Sequence, residues 1–446
     1  MPHPENGNGT NGDATPDERT HLLANSNGDS HPEQRPNGGI VHHPTHKPWG
    51  EDDPRPYVRW PLLVGYTTWM TLASNYVNVL LVFVPLGIIA GALDWNPTAV
   101  FVLNFIAIIP LAALLSFATE ELSVKMGQTI GGLMNATFGN AVELIVSIVA
   151  LKNGEIRIVQ SSMLGSILSN ILLVLGCCFL AGGWNHREQR FNETVASTMS
   201  SLMAVASASL IIPATLYAAL QNSKSSSNDH ILILSHGTAV ILLILYIMYL
   251  YFQLKSHADF FDAEAQEEEE PEEGHILGTF SAGVALVVVT LLVAVCAEYL
   301  VDSIDAIVQT AHLSKTFIGL VLLPIVGNAA EHVTAVIVAY KDKMDLAINV
   351  AIGSSMQIAL FVTPFLVLLG WAMGQPMTLH FQTFETVVFF LSVLVVNYLI
   401  QDGKSNYLEG AMCIGTYIII ALAFFVYPDD AGDITDFFRN MVAPSA

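Results

Sequence analysis

The amino-acid sequence predicts an all-α polytopic membrane protein with eleven transmembrane helices, arranged as one extra N-terminal helix plus two inverted five-helix repeats. Three observations carry this expectation. Hydrophobic residues make up 52% of the chain and charged residues only 13%, with a mean hydropathy of +0.52. A soluble domain carries about 25% charged residues, so most of this chain belongs in a medium other than water. The apolar residues also gather into stretches near the ~20 residues that cross a bilayer as a helix. Finally, one polar motif occurs twice inside those stretches.

Residues 1–56 are rich in Asn, Gly, Pro, His and Asp and lack the apolar run of a secretory signal. They read as a disordered cytoplasmic tail. Residues 57–93 hold an interfacial lead-in, marked by Arg59, Trp60, Tyr66 and Trp69, and the first transmembrane helix at 75–93. The first five-helix repeat occupies 94–256, with apolar stretches at 97–118, 127–151, 156–181, 193–219 and 230–253. An acidic segment follows at 257–275. The second repeat fills 276–427, with stretches at 276–300, 314–340, 345–373, 378–399 and 406–427, and 428–446 forms a short C-terminal tail.

Lysine and arginine are retained on the cytoplasmic side of a membrane. A cytoplasmic N-terminus places twelve of the 17 basic residues on that side and five on the other, so that orientation is expected. It also puts the acidic segment in the cytoplasm. The formal net charge is −22, and nine of the 39 acidic residues lie between Asp259 and Glu273. No basic face is present, which argues against a nucleic-acid partner. Cys177, Cys178, Cys296 and Cys413 all fall in apolar runs without CxxC spacing, and read as small packing residues.

The repeated motif is Gly139-Asn140-Ala141-Val142-Glu143 and Gly327-Asn328-Ala329-Ala330-Glu331. The spacing is 327 − 139 = 188 residues, and the same spacing carries Gly165-Ser166 onto Gly353-Ser354 without a gap. An odd number of spans per unit sends the second copy into the membrane from the opposite face. Inverted repeats of this kind build secondary transporters, with the site at the repeat interface.

Glu143 and Glu331 lie deep in apolar spans with no lysine or arginine nearby in the same span. A carboxylate there costs several kcal/mol unless it finds a partner or a proton, so an exchangeable cation accounts for both. Asn140 and Asn328 precede the glutamates by three residues and are expected on the same helical face. Ser166 and Ser169, and Ser354 and Gln357, share that spacing on the following helices. Together these eight side chains offer oxygen ligands, which suit a hard cation such as calcium. Pro324 is expected to break the second copy, with Gly139 or Gly131-Gly132 supplying flexibility in the first.

The same carboxylates explain proton coupling. Without a cation they repel each other in a poorly solvated place, so the empty site takes up protons and an arriving divalent ion displaces them. His332 is placed either to relay protons or to pack as a hydrogen-bonding side chain. Gln160, Ser161 and Asn349 begin the next helices and either line the path or satisfy helix ends. The acidic segment is either a solvated linker or a helix that concentrates divalent cations near the pore mouth, an entrance that Glu120 and Glu121 would extend.

The two motifs, with Gly165-Ser166-Ile167-Leu168-Ser169-Asn170 and Glu331-His332 followed by Gly353-Ser354-Ser355-Met356-Gln357, resemble the two alpha-repeats of calcium/proton exchangers in the calcium/cation antiporter superfamily. The resemblance spans roughly residues 57–427. It implies export of cytosolic calcium into an acidic organelle, typically a vacuole, against protons, with no cofactor and no enzymatic step. It also implies that Glu143 and Glu331 bind the ion, with Asn140, Asn328, Ser166, Ser169, Ser354 and Gln357 in support. The acidic segment, through Asp259, Asp262, Glu264, Glu267 and Glu268, would sense cytosolic calcium. The expected partners are the lipid bilayer, calcium ions and protons; protein partners are not specified.

Manganese/proton exchange remains open, because manganese also takes oxygen ligands. A sodium-coupled antiporter would want a further carboxylate near the second repeat. A channel would share the oxygen ligands but not the proton competition, and an intramembrane enzyme would need a nucleophile–base or metal–water set.

Overall fold

An apolar chain in a bilayer must satisfy every backbone N–H and C=O internally, and helices do so within one segment. The computed structural model describes residues 56–73, 75–220, 227–258 and 277–427. The predicted tails, and Asp259, Asp262, Glu264, Glu267 and Glu268 of the acidic segment, lie outside the described residues.

Helix α1, Pro56–Ala73, covers the expected lead-in, and α2, Tyr76–Ala92, begins with a tight 3-10 turn. The first half continues with α3 (Pro97–Lys125), α4 (Gln128–Phe138), α5 (Ala141–Lys152), α6 (Ile156–Asn185), α7 (Glu193–Leu220) and α8 (Ser227–Tyr251). The second half holds α9 (Thr279–Asp302), α10 (Ile304–Ala311), α11 (Lys315–Gly327), α12 (Ala329–Tyr340), α13 (Met344–Met373), α14 (Thr383–Leu399) and α15 (Tyr407–Val426). Every predicted stretch carries helix. Among the described residues seven helices are long and apolar enough to cross a membrane, or nine when each sharply bent pair is one span, while α2, α12 and α14 are apolar but shorter.

Three departures from the predicted boundaries have physical causes. The stretches 127–151 and 314–340 are each broken near the middle, at Gly139-Asn140 and Gly327-Asn328. The connection after α9 is itself helical, because α10 turns Ile304 and Ile307 into the core, and the left-handed His312 then reverses the chain into α11 by 118°. Residues 378–382 are not helical; α14 starts at Thr383 behind a capping box between Gln382 and Glu385.

The core runs through α3, α6, α13 and α9, with Ile108, Leu111, Ile158, Leu164 and Leu360 buried where these helices meet. Helix α3 lies along α9, and α15 packs on the second part of α6. On the outside the pattern inverts: Val79, Ile247, Val287 and Ile419 are exposed large apolar side chains on α2, α8, α9 and α15. An apolar exterior of that extent matches a lipid environment. A two-residue antiparallel stitch, Gln189–Arg190 against Lys404–Ser405, joins the halves at one end of the bundle. All four cysteines are free, and three are buried.

Candidate functional site

The two motifs adopt matching backbones. Asn140 (φ −100°, ψ 24°) and Asn328 (φ −92°, ψ 2°) both occupy the bridge region where α4 gives way to α5 and α11 to α12. The break therefore comes from the shared Gly-Asn pair, and Ala136 in the position of Pro324 does not prevent it. Pro324 acts upstream, where it follows a wide π turn over Ile318–Leu322. Each asparagine is the residue that caps its half-helix, and its carbonyl already accepts the first helical bond, from Leu144 N–H at 3.0 Å and His332 N–H at 2.9 Å. Glu143 and Glu331 are the third residues of α5 and α12, so each carboxylate sits at the positive end of a half-helix.

The halves then cross. Glu143 stands against Gly327, where a methyl group would lie 2.8 Å from Glu143 Oε1. Glu331 faces Gly139, where a methyl group would lie 3.8 Å from Glu331 Oε1. Each glutamate is thus accommodated by the glycine of the opposite motif. Glu143 is buried and Glu331 half-buried.

Beside Glu143 lies a cavity of about 20 Å³, lined by Ser147, Ser162, Ser166, Pro324 and Gly327 among others. That is room for one small species. Four buried polar atoms there or on the motifs have no hydrogen-bond partner: Glu143 Oε1, Glu331 Oε2, Asn328 Nδ2 and Ser147 Oγ. Buried polar groups are almost always paired, so this concentration singles the place out as the candidate ligand site.

Other predicted residues are engaged with one another. Asn170 Nδ2 donates to Ser354 Oγ (3.1 Å), Ser354 Oγ donates to Asn140 Oδ1 (3.0 Å), and Asn140 Nδ2 donates to Gln357 Oε1 (2.7 Å). This chain links the first motif to α13 and to a π turn in α6 (Ser169–Val174). Ser169 Oγ lies 3.4 Å from His332 Nε2, which places the histidine beside the site. Sequence reasoning did not select Asn170, Ser147 or Ser162 as ligands. Ser147 follows Glu143 by four residues and Ser162 precedes Ser166 by four, so helical spacing alone would have found both.

Outside this centre the assignments differ. Glu121 is buried, and its Oε2 accepts from the Leu277 backbone N–H at 3.1 Å with Lys125 3.9 Å away. It anchors the start of the second half rather than widening an entrance; Glu120 is exposed. Gln160 holds the segment before α14 by donating to the Thr378 and His380 carbonyls at 3.0 and 3.1 Å. Ser161 bonds back to the Arg157 carbonyl at 2.9 Å. Among the described residues no group of three His, Cys, Asp or Glu side chains forms a conventional metal cluster.

A family model described as sodium/calcium exchanger protein matches residues 96–255 and 281–426, which are the two halves that meet at this site. A vacuolar calcium ion transporter of Schizosaccharomyces pombe is 55% identical over 366 residues, covering 82% of this chain and 88% of its own length. Vacuolar cation/proton exchanger 2 of Oryza sativa is 47% identical, covering 79% and 82%. The solved structure of native YfkE is 36% identical with a TM-score of 0.68, covering 79% of this chain and 100% of that one; the selenium-substituted form of YfkE, a Ca2+/H+ antiporter protein, is equally similar, with a TM-score of 0.67. With both halves matched and relatives this similar across four-fifths of its length, the chain belongs to the sodium/calcium exchanger protein family.

Proposed function

We propose that this protein is a secondary active antiporter that moves calcium from the cytosol into an acidic organelle in exchange for protons. The observation that carries the reading is the meeting of Glu143 and Glu331 from opposite halves, each with an unpaired buried oxygen, next to a cavity sized for one small species. Relatives named vacuolar calcium ion transporter, vacuolar cation/proton exchanger and Ca(2+)/H(+) antiporter support calcium and proton as the exchanged pair and the vacuole as the site.

The chemistry follows from competition. An empty pair of close carboxylates, poorly solvated, holds protons; a divalent ion replaces them with two opposite charges and the carbonyl and hydroxyl oxygens of Asn328, Ser166 and Ser169. Asn140, Ser354 and Gln357 position the first motif, and His332, beside Ser169, passes protons to or from Glu331. Eleven spans in two inverted units with a cytoplasmic N-terminus is the layout that lets the same site face either side in turn. Asp259, Asp262, Glu264, Glu267 and Glu268 would then read cytosolic calcium. Manganese shares the oxygen-ligand preference and is a second cargo to assay.

The test is calcium uptake and internal pH followed together in acid-loaded proteoliposomes, with and without Glu331→Gln. Coupled uptake and proton loss, both abolished by the substitution, is the expected result. Calcium flux indifferent to the pH gradient would overturn proton exchange.

A further inference from the structure

On the face where α5 ends and α11 begins, the two halves are tied together by charge. Arg157, in the first turn of α6, donates from NH1 to Glu385 Oε2 at 3.0 Å and from NH2 to Glu385 Oε1 and to Thr316 Oγ1, the last at 3.1 Å. Glu385 is fully buried and also accepts from the Gln382 backbone N–H at 3.1 Å. Beside this pair, Lys315 Nζ reaches Glu155 Oε2 at 2.8 Å and Asp305 Oδ1 at 2.7 Å. Arg157 and Glu155 belong to the first half; Thr316, Lys315, Asp305 and Glu385 belong to the second.

The placement of the cations is informative. Arg157 and Lys315 both lie in the first turn of a helix, where the macrodipole disfavours positive charge. Their acidic partners across the repeat boundary offset that cost. At the 188-residue spacing Arg157 falls on Asp345 and Glu155 on Lys343, so the charges reverse; the opposite face is tied differently, by Lys404 to Glu188 at 2.9 Å, by Gln189 Nε2 donating to Asp342 Oδ1 at 2.7 Å, and by the two-residue strand stitch.

The same face is shut in the structure, and its counterpart is not. A methyl group on Gly165 would overlap the Leu320 carbonyl, and one on Gly319 would overlap Ser161 Oγ, so α6 and α11 touch backbone to backbone. Gly353, the counterpart of Gly165, has only Asn349 Oδ1 within 4 Å, at 3.7 Å; Gly131, the counterpart of Gly319, faces Ser123 of its own half. Ile318 is 0% exposed and Val321 6%, while the matching Ile130 and Leu133 are 53% and 49% exposed.

We propose that Arg157, Glu385 and Thr316, flanked by Lys315, Glu155 and Asp305, form the latch of the gate on this face. They are positioning residues that set how often α11 releases α6 and so how often the site opens to the organelle. This rests on the antiporter reading, which supplies the two alternating states. This latch rests on a fully buried carboxylate, whereas the Glu188–Lys404 pair on the opposite face is half exposed, so the resting protein favours the cytosol-open state, ready to collect calcium.

The test reads the gate directly. In full-length protein with the four native cysteines replaced by alanine, Ser161→Cys places a thiol at a fully buried position that Gly319 of α11 covers, so a polar thiol reagent reaches it from the organelle side only when the gate opens. Labelling should be slow in reconstituted vesicles and should stop uptake once complete. Adding Arg157→Gln should speed labelling by about tenfold, the scale of one charge-assisted hydrogen bond. Exchanging the charges (Arg157→Glu with Glu385→Arg) should restore most of the protection. Where Arg157→Gln fails to fold, the milder Lys315→Gln with Thr316→Val carries the test with the same direction. A folded variant with lowered thermal stability but an unchanged labelling rate overturns the latch and makes these bonds a static staple, leaving the antiporter reading intact. Labelling that responds to the latch in a protein without calcium–proton exchange would sustain the gate and overturn the antiporter reading.

Discussion

Three carboxylates are buried among the described residues, and their partners separate their roles. Glu121 holds the Leu277 backbone and Glu385 holds Arg157, whereas Glu143 keeps an oxygen with no partner. Removing a charge from the first two should destabilise the fold, since each leaves a buried donor or cation unmatched. Removing it from Glu143 should do the reverse. Glu143→Gln is expected to raise the thermal midpoint of the ion-free protein while abolishing calcium exchange, and Glu331→Gln to act likewise. Thermal scans in calcium chelator alongside vesicle uptake would decide; a lowered midpoint would mean that the glutamate was structurally satisfied.

At the scale of elements, the broken helices carry unequal loads. The first break is cross-braced by the chain from Asn170 through Ser354 and Asn140 to Gln357, while Asn328 Nδ2 at the second break has no partner. Asn140→Ala should therefore cost about 1–3 kcal/mol of ion-free stability and Asn328→Ala much less, although both should lower calcium uptake. Equal losses in a denaturation series would show that the bracing is not where the structure puts it. The contact between α6 and α11 gives a sharper comparison. A methyl at Gly165 meets rigid backbone, whereas at Gly319 it meets a serine hydroxyl. Gly165→Ala should cost about 1–3 kcal/mol and resist rescue, while Ser161→Ala should recover part of the loss in Gly319→Ala. Failure of that double substitution to couple would separate the two helices.

At the scale of the molecule, the ion should act as a further clamp between halves already joined near the motifs by the bonds of Asn140 and Asn170 to Ser354 and of Asn140 to Gln357. A ligand that binds only the folded state adds about 2.7 kcal/mol at one hundred times its dissociation constant. Calcium is thus expected to raise the thermal midpoint of the purified protein in a concentration-dependent way, and Glu331→Gln to remove the shift. A midpoint that ignores calcium in the unsubstituted protein would argue against a site shared by the two halves. The apolar exterior and the buried latch place constraints at this same scale: the first needs lipid around α2, α8, α9 and α15, and the second gives the resting protein a preferred side.

Much of this was already legible in the chain, and the reason is periodicity. Membrane character follows from composition, because charge is too scarce for water. The positions of the helical stretches follow from their length, and the pairing of Glu143 with Glu331 follows from a repeat whose spacing survives without a gap. What the tertiary structure decided concerns neighbours that no spacing reveals. Glu385 and Arg157 are 385 − 157 = 228 residues apart and belong to different halves, so nothing local marks them as a pair. Asn140 takes Ser354 and Gln357 of the other half as its amide partners, and Glu121, expected at an entrance, is buried against Leu277. A sequence records which groups need a partner, since burial cost is a property of the residue and its apolar surroundings. Which partner each one takes is settled only when packed helices bring distant residues within hydrogen-bond reach.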